Sequence, residues 1–300
     1  MARDKSDGLI PFEYSMIFGI VSNLCATLSG SPPCQGFSGA NTSGGNNDWQ
    51  NKQATLDFLE AVKHIQPPFV TMENVPGLAM KRKINGARDT NRSYLERVVG
   101  ALLSLDYQVN VTMLNASDYG DPQDRKRLVL FAAKRGRSLP PVPTPTHGDG
   151  EGLKPFVTVE DALKDLEDED PSCEGRVKLA NGKTVEGHLL RGTAISSSND
   201  EDTRLYAEHP LAPARTLRKK NKIRHYLHHR YLTLLEYKRL SSFPDGHTLK
   251  GTERETRDQI GNAVPCRLAR AIAKTVMERC RVGAQLLDGH KPRKESGAPM

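Results

Sequence analysis

Cysteine is scarce in this chain and badly spaced for cross-linking. Cys25, Cys34, Cys173, Cys266 and Cys280 make an odd number, with no C-x-x-C pair and no Cys/His cluster at zinc spacing. That excludes a disulfide-stapled scaffold and a structural zinc module, and it fits free thiols in a reducing compartment. Long apolar runs are lacking too. Residues 16–28 are too short and too polar to span a bilayer, and Asp4, Lys5 and Asp7 interrupt the start, so neither a membrane span nor a signal peptide is expected. There is no internal repeat and no acidic excess. Lys and Arg number 43 against 36 Asp and Glu, a net charge of +7 that favours a polyanionic partner.

What is present suffices for a sizeable core: 300 residues, 37% hydrophobic and 26% charged. Residues 26–28 read as the end of a short buried strand. Pro32-Pro33 then stiffen a loop carrying Cys34, and Gly36 and Ser38 let it turn. Residues 16–24 fit a strand or a short helix equally, and residues 41–51, rich in Gly, Asn and Ser, read as a mobile loop. Leu56, Leu59, Val62 and Ile65 form a helical stripe that Pro67-Pro68 ends. Residues 69–72 are a short apolar strand, and Glu73-Asn74-Val75-Pro76-Gly77 leaves its C-terminal end. Residues 81–92 read as a basic loop. Leu95, Val98, Val99, Leu102 and Leu105 mark a second helix, and Val109, Val111 and Met113 alternate with polar residues as a strand. Gln123-Asp124-Arg125-Lys126-Arg127 precedes a continuous apolar strand over 128–133. Strands alternating with helices predict an α/β chain with a doubly wound sheet. If that sheet is parallel, Cys34 and Glu73 reach the same edge.

Prolines 140, 141, 143 and 145 mark a boundary within residues 138–152. Thr158 is the expected cap of a short helix running to Leu166, and residues 167–214 are polar and weakly patterned, as in a small loop-rich insert. Thr233-Leu234-Leu235-Glu236 is a capping box for a helix that runs to Phe243 and stops at Pro244. Gly261-Asn262-Ala263-Val264-Pro265 reads as a tight turn into a final helix bearing Leu268, Ala269, Ile272 and Val276, with a disordered basic tail after Val282. Charge is uneven: residues 161–174 are acidic, while residues 215–230 are strongly basic and interleaved with Tyr226, which suits phosphate contacts.

Taken singly, the polar clusters have plain structural readings. Cys34 could be a buried inert thiol, Glu73 a surface carboxylate, Arg125 and Arg127 a solvated charge run, and the Asn262 turn a helix entry. Taken together, the order and spacing of Pro33-Cys34-Gln35, Glu73-Asn74-Val75, Gln123-x-Arg125-x-Arg127 and Gly261-Asn262-Ala263-Val264-Pro265 resemble the cytosine-5 DNA methyltransferase family, from Gly30 to about Arg267 apart from the inserted region. Leu232-Thr233 with Glu236, Arg239-Leu240 and Ser242-Phe243-Pro244-Asp245 match the family's run before its last motif.

The resemblance implies a Rossmann-like class I methyltransferase sheet and a DNA substrate, with S-adenosylmethionine as methyl donor and no metal. Cys34 would be the thiolate that adds to cytosine carbon 6 and makes carbon 5 nucleophilic. Glu73 would act at ring nitrogen 3, Asn74 would orient the base or the loop, Arg125 would bind the pyrimidine carbonyl oxygen, and Arg127 would back it up. Pro32, Leu56, Asn262 and Val264 match donor contacts. Gln35 and Ser38, on the family's mobile loop, would meet DNA carrying a flipped base, and Arg218, Lys219 and Lys220 would meet its phosphates.

The chain departs from the family in one respect. No counterpart of the N-terminal Phe-x-Gly-x-Gly loop stands in residues 1–29. The expected organisation is therefore a catalytic part truncated at its N-terminus (1–147), a target-recognition insert (148–215), a second catalytic part (216–285) and a disordered basic tail (286–300). A protein partner or a further N-terminal segment would complete the donor site. Two rivals remain: a catalytically impaired DNA-binding remnant or partner subunit, and a tRNA cytosine-5 methyltransferase. Against the latter, Gln35-Gly36-Phe37-Ser38 stands where that branch carries Gln-Pro-Phe-Thr. The basic tail and small insert suggest a nuclear protein, or a cytoplasmic one if the source is bacterial.

Overall fold

The computed structural model describes residues 16–21, 24–32, 48–80, 83–84, 87–88, 93–166, 176–178, 184–186, 209–217, 223–227 and 231–288. The chain divides into two compact units, the first comprising residues 1–113, 127–142 and 274–300, the second residues 114–126 and 143–273.

The first unit is built on a sheet. β1 (Met16–Val21) and β2 (Leu24–Gly30) pair antiparallel, the arrangement open to strands joined by only two residues, Ser22-Asn23. The sequence left β1 undecided between strand and helix. β3 (Phe69–Asn74) runs parallel to β2, with Thr27 opposite Phe69 and Gly30 opposite Met72. β6 (Tyr107–Asn115) and β7 (Lys126–Lys134) complete the strand order β1-β2-β3-β7-β6, and β7 is antiparallel to β3. The α/β class stands, but the sheet is mixed rather than uniformly parallel. Phe69, Val70 and Met72 are buried on β3 together with Thr71, as are Leu128 to Ala133 on β7, which is why 128–133 reads as an unbroken apolar run.

α1 (Asp48–Ile65) starts inside the segment expected to be a loop, so Asp48 to Asn51 are helical; residues 41–47 lie outside the described chain. Its buried face is Ala54, Thr55, Phe58, Leu59 and Val62, a stripe at i, i+1, i+4, i+5 and i+8. Leu56 and Ile65, expected in that stripe, are 43% and 40% exposed. Two-residue strands β4 (Lys83–Ile84) and β5 (Ala87–Arg88) pair within the stretch read as a loop. α2 (Tyr94–Ser104) opens on a capping box that the sequence reading missed: the Ser93 hydroxyl accepts from Glu96 N at 3.2 Å, and the Glu96 carboxylate accepts from Ser93 N. Leu28, Phe58, Val62, Val70, Met72, Val98, Leu102 and Leu130 make one core between helices and sheet.

In the second unit, α3 (Val159–Leu163) carries the expected Thr158 cap in a box with Asp161. Strands β8 (Arg176–Lys178) and β9 (Thr184–Glu186) pair antiparallel. α4 (Leu234–Leu240) has the expected Thr233–Glu236 box but ends at Leu240, three residues before Phe243. α5 (Glu253–Asn262), not anticipated, is separated by Ala263-Val264-Pro265 from α6 (Cys266–Asp288), which starts in this unit. Gly261 and Asn262 therefore close a helix instead of forming a tight turn. α6 also carries helix through 286–288, where the tail was expected; residues 289–300 lie outside the described chain. Val159, Leu163, Ala214, Leu217, Leu232, Tyr237, Leu240 and Ile260 share one core.

Candidate active site

At the end of β3, Glu73 is held at both carboxylate oxygens. The parallel register sets Gly30 beside Met72, so the residues that follow, Ser31 and Glu73, leave neighbouring strand ends side by side. The Ser31 hydroxyl donates to Glu73 Oε2 at 2.5 Å, and Arg127 Nε, on β7, donates to Oε1 at 2.6 Å. Both charged side chains are nearly enclosed, 7% exposed for Arg127 and 12% for Glu73, so this ion pair sits where solvent screens it little. The next residue forms a second tie: Asn74 Nδ2 donates to Pro32 O at 3.0 Å, and Asn74 Oδ1 accepts from Val75 N at 2.9 Å. Asn74 thus holds the main chain at Pro32, directly before Pro33 and Cys34 in the sequence. Pro33, Cys34, Gln35 and Ser38 lie outside the described residues.

Gly30 explains why this strand end can lie so close to α1. A Cβ on Gly30 would sit 2.5 Å from Cε2 of Phe58, a core ring only 2% exposed.

In the second unit, Arg125 is 3% exposed and spans the chain. Its Nη1 donates to Leu217 O at 2.6 Å, and its Nη2 donates to Gly261 O at 2.6 Å. Gln123, fully buried, donates from Nε2 to Leu240 O at 3.0 Å and accepts from Leu217 N at 3.3 Å. The two arginines expected at the pyrimidine stand in different surroundings. Arg125 was to bind the pyrimidine with Arg127 behind it. Here Arg125 Nη1 and Nη2 each donate to a main-chain carbonyl, while Arg127 Nε holds the Glu73 carboxylate.

Asp121 is another buried anchor that sequence reasoning missed. Its two carboxylate oxygens accept from Arg267 N at 3.1 Å and Leu268 N at 2.8 Å, capping the first turn of α6. Burial holds its carboxyl above the usual range. The free thiols of Cys266 and Cys280 are both pushed up, first by burial, so neither is an activated nucleophile.

The basic stretch over 215–230 is in part structural, contrary to expectation. Arg224 and His225 are 6% and 4% exposed, too enclosed to line a phosphate surface. His225 Nδ1 accepts from Leu227 N at 3.1 Å, which leaves Nε2 to donate toward Glu236 Oε1 at 3.4 Å. Arg218, Lys219 and Lys220 lie outside the described residues. Of the expected donor contacts, Pro32 is buried, Leu56 and Asn262 are exposed, and Val264 is half-buried. Among the described residues no group of three His, Cys, Asp or Glu could hold a metal ion, and no helix is long and apolar enough to cross a membrane.

Comparison with solved structures defines the class first. The fold matches a DNA modification methyltransferase encoded within a prophage (E. coli), with a TM-score of 0.64 and 23% identity over 85% of this chain and 79% of that one. It also matches the S. pombe Dnmt2 methyltransferase, with a TM-score of 0.52 and 16% identity over 86% of this chain and 79% of that one. This is the α/β fold of S-adenosylmethionine-dependent methyltransferases. Residues 21–278 match the model of the C-5 cytosine-specific DNA methylases, and the chain belongs to that family of cytosine-5 DNA methyltransferases. It is 31% identical to the type II methyltransferase M.AplI of Arthrospira platensis over 88% of this chain and 72% of that protein. It is 29% identical to M.BsuRI of Bacillus subtilis over 84% of this chain but only 58% of that protein.

Proposed function

We propose that this chain transfers a methyl group to carbon 5 of cytosine in duplex DNA, using a covalent adduct through Cys34 on a base flipped out of the helix. The observation that carries the reading is the Glu73 carboxylate, fixed by Arg127 at 2.6 Å on the strand end next to the Pro32-Pro33-Cys34 loop. Thiolate addition to carbon 6 pushes electrons into the ring, and the charge is relieved at nitrogen 3, where Glu73 holds the proton. Arg127, donating to Oε1, keeps the carboxylate in position and carries positive charge to the developing anion. Asn74, tied to Pro32 O, holds the base of the Cys34 loop. After transfer a base takes the carbon-5 proton and Cys34 leaves. In this reading Arg125 braces the backbone around Leu217 and Gly261.

S-adenosylmethionine would supply the methyl group when bound. By the family resemblance, Pro32, Leu56, Asn262 and Val264 are the residues that would hold it. Among the described residues before β3 there is no glycine-rich strand-to-helix loop, and in the sequence only Ser22-Asn23 separate β1 from β2. That observation favours a second reading, in which a protein partner or a further N-terminal segment completes the donor site and this chain alone binds DNA, through Gln35, Ser38, Arg218, Lys219 and Lys220. Incubation with tritiated S-adenosylmethionine and duplex DNA separates the two. Label in DNA that is lost with Cys34→Ser supports the enzyme, whereas duplex binding without label supports the partial subunit. A nuclear location in a eukaryotic host, or a cytoplasmic one in a bacterium, is read out by imaging a tagged chain.

A further inference from the structure

We infer that Ser31 is a positioning residue for Glu73, a role that rests on the proposed function. Arg127 Nε donates to Oε1, and the terminal torsion of a glutamate is broad, so what touches Oε2 helps to set the carboxylate plane. The Ser31 hydroxyl at 2.5 Å from Oε2 supplies the second point. Ser31 is itself well placed to do so. Gly30 before it is in register with Met72, and Pro32 after it is fixed by Asn74 Nδ2 at 3.0 Å.

The two partners of Glu73 differ in kind. A guanidinium only donates, so a proton on Oε1 would find no acceptor there and would weaken the charge-assisted bond to Arg127. A hydroxyl both donates and accepts, so Oε2 can be protonated and keep Ser31 as partner by reversing the bond. The proton destined for cytosine nitrogen 3 therefore belongs on Oε2, and Ser31 keeps that oxygen in place in both charge states.

The test needs no methyl donor. On a duplex carrying cytosine tritiated at carbon 5, the Cys34 thiolate forms an S–C6 bond and carbon 5 takes a proton from water. A base then removes the triton, and the S–C6 bond breaks, returning the thiolate and releasing tritium to water. With Ser31→Ala the release rate at saturating duplex should fall about tenfold, with duplex KM and melting temperature unchanged. Ser31→Thr, which keeps the hydroxyl, should restore it to within about threefold of wild type. A wild-type rate in Ser31→Ala, or a loss that Ser31→Thr does not rescue, overturns the role of Ser31 alone. No Cys34-dependent release from the wild-type chain overturns the proposed function and this role with it.

Discussion

The two arginines of Gln123-x-Arg125-x-Arg127 do different work, and their environments set different costs. Removing Arg127 leaves the enclosed Glu73 without its ionic partner, so Arg127→Ala should cost about 3 kcal/mol in urea unfolding as well as activity. Arg125→Ala would strand the buried carbonyls of Leu217 and Gly261, at about 1–3 kcal/mol for each acceptor left unmet. The motif's spacing made both arginines visible as site candidates, but not which one reaches the carboxylate. That depends on segments 92 and 136 residues away, which no local pattern encodes. Ser31 went unread for a similar reason, since its partner is set by the pairing of two strands. Buried hydroxyls give a pH prediction. Tyr107 donates to Pro67 O at 2.7 Å and Tyr119 to Pro143 O at 2.8 Å, and burial pushes both up to about 12. The unfolded chain ionises these groups near pH 10, so their contribution is complete below pH 10 and is lost as pH rises through 12. Unfolding free energies measured across that window should fall, and Tyr107→Phe should blunt the fall.

At the scale of elements, ends were more legible than faces. Thr158 and Thr233 were readable as caps because a hydroxyl three residues before a carboxylate is a local signal. Thr233→Ala should therefore cost about 1 kcal/mol, read from the shift in denaturation midpoint. The face of α1 was misjudged because Leu56 and Ile65 are apolar yet exposed, while Thr55 is polar yet buried. α5 escaped notice because Glu253, Arg254, Asp258 and Gln259 swamp the apolar stripe that Ile260 anchors. The end of β2 depends on the absence of a side chain. Gly30→Ala should destabilise by about 1–3 kcal/mol, because its methyl must displace the packed ring of Phe58. Thermal melts of that variant against Gly100→Ala, where the new Cβ meets nothing within 4 Å, separate overpacking from the loss of a glycine.

Over the whole chain, the family and the α/β class could be read from four motifs in order, and the match across residues 21–278 agrees. The mixed sheet could not be read, because strand direction depends on connections and partners far apart in sequence. β1, antiparallel to β2, is the element that most separates this chain from an all-parallel expectation. The chain spans 72% of M.AplI and 58% of M.BsuRI, so activity has to be measured on this chain itself. The most direct measurement is covalent capture. The purified chain is incubated with a duplex carrying 5-fluorocytosine and S-adenosylmethionine, then analysed by denaturing electrophoresis and peptide mass spectrometry. The account predicts a denaturation-resistant protein–DNA species whose cross-linked peptide contains Cys34 and which Cys34→Ser abolishes. A capture that survives Cys34→Ser, or no capture from a chain that methylates DNA, would contradict it.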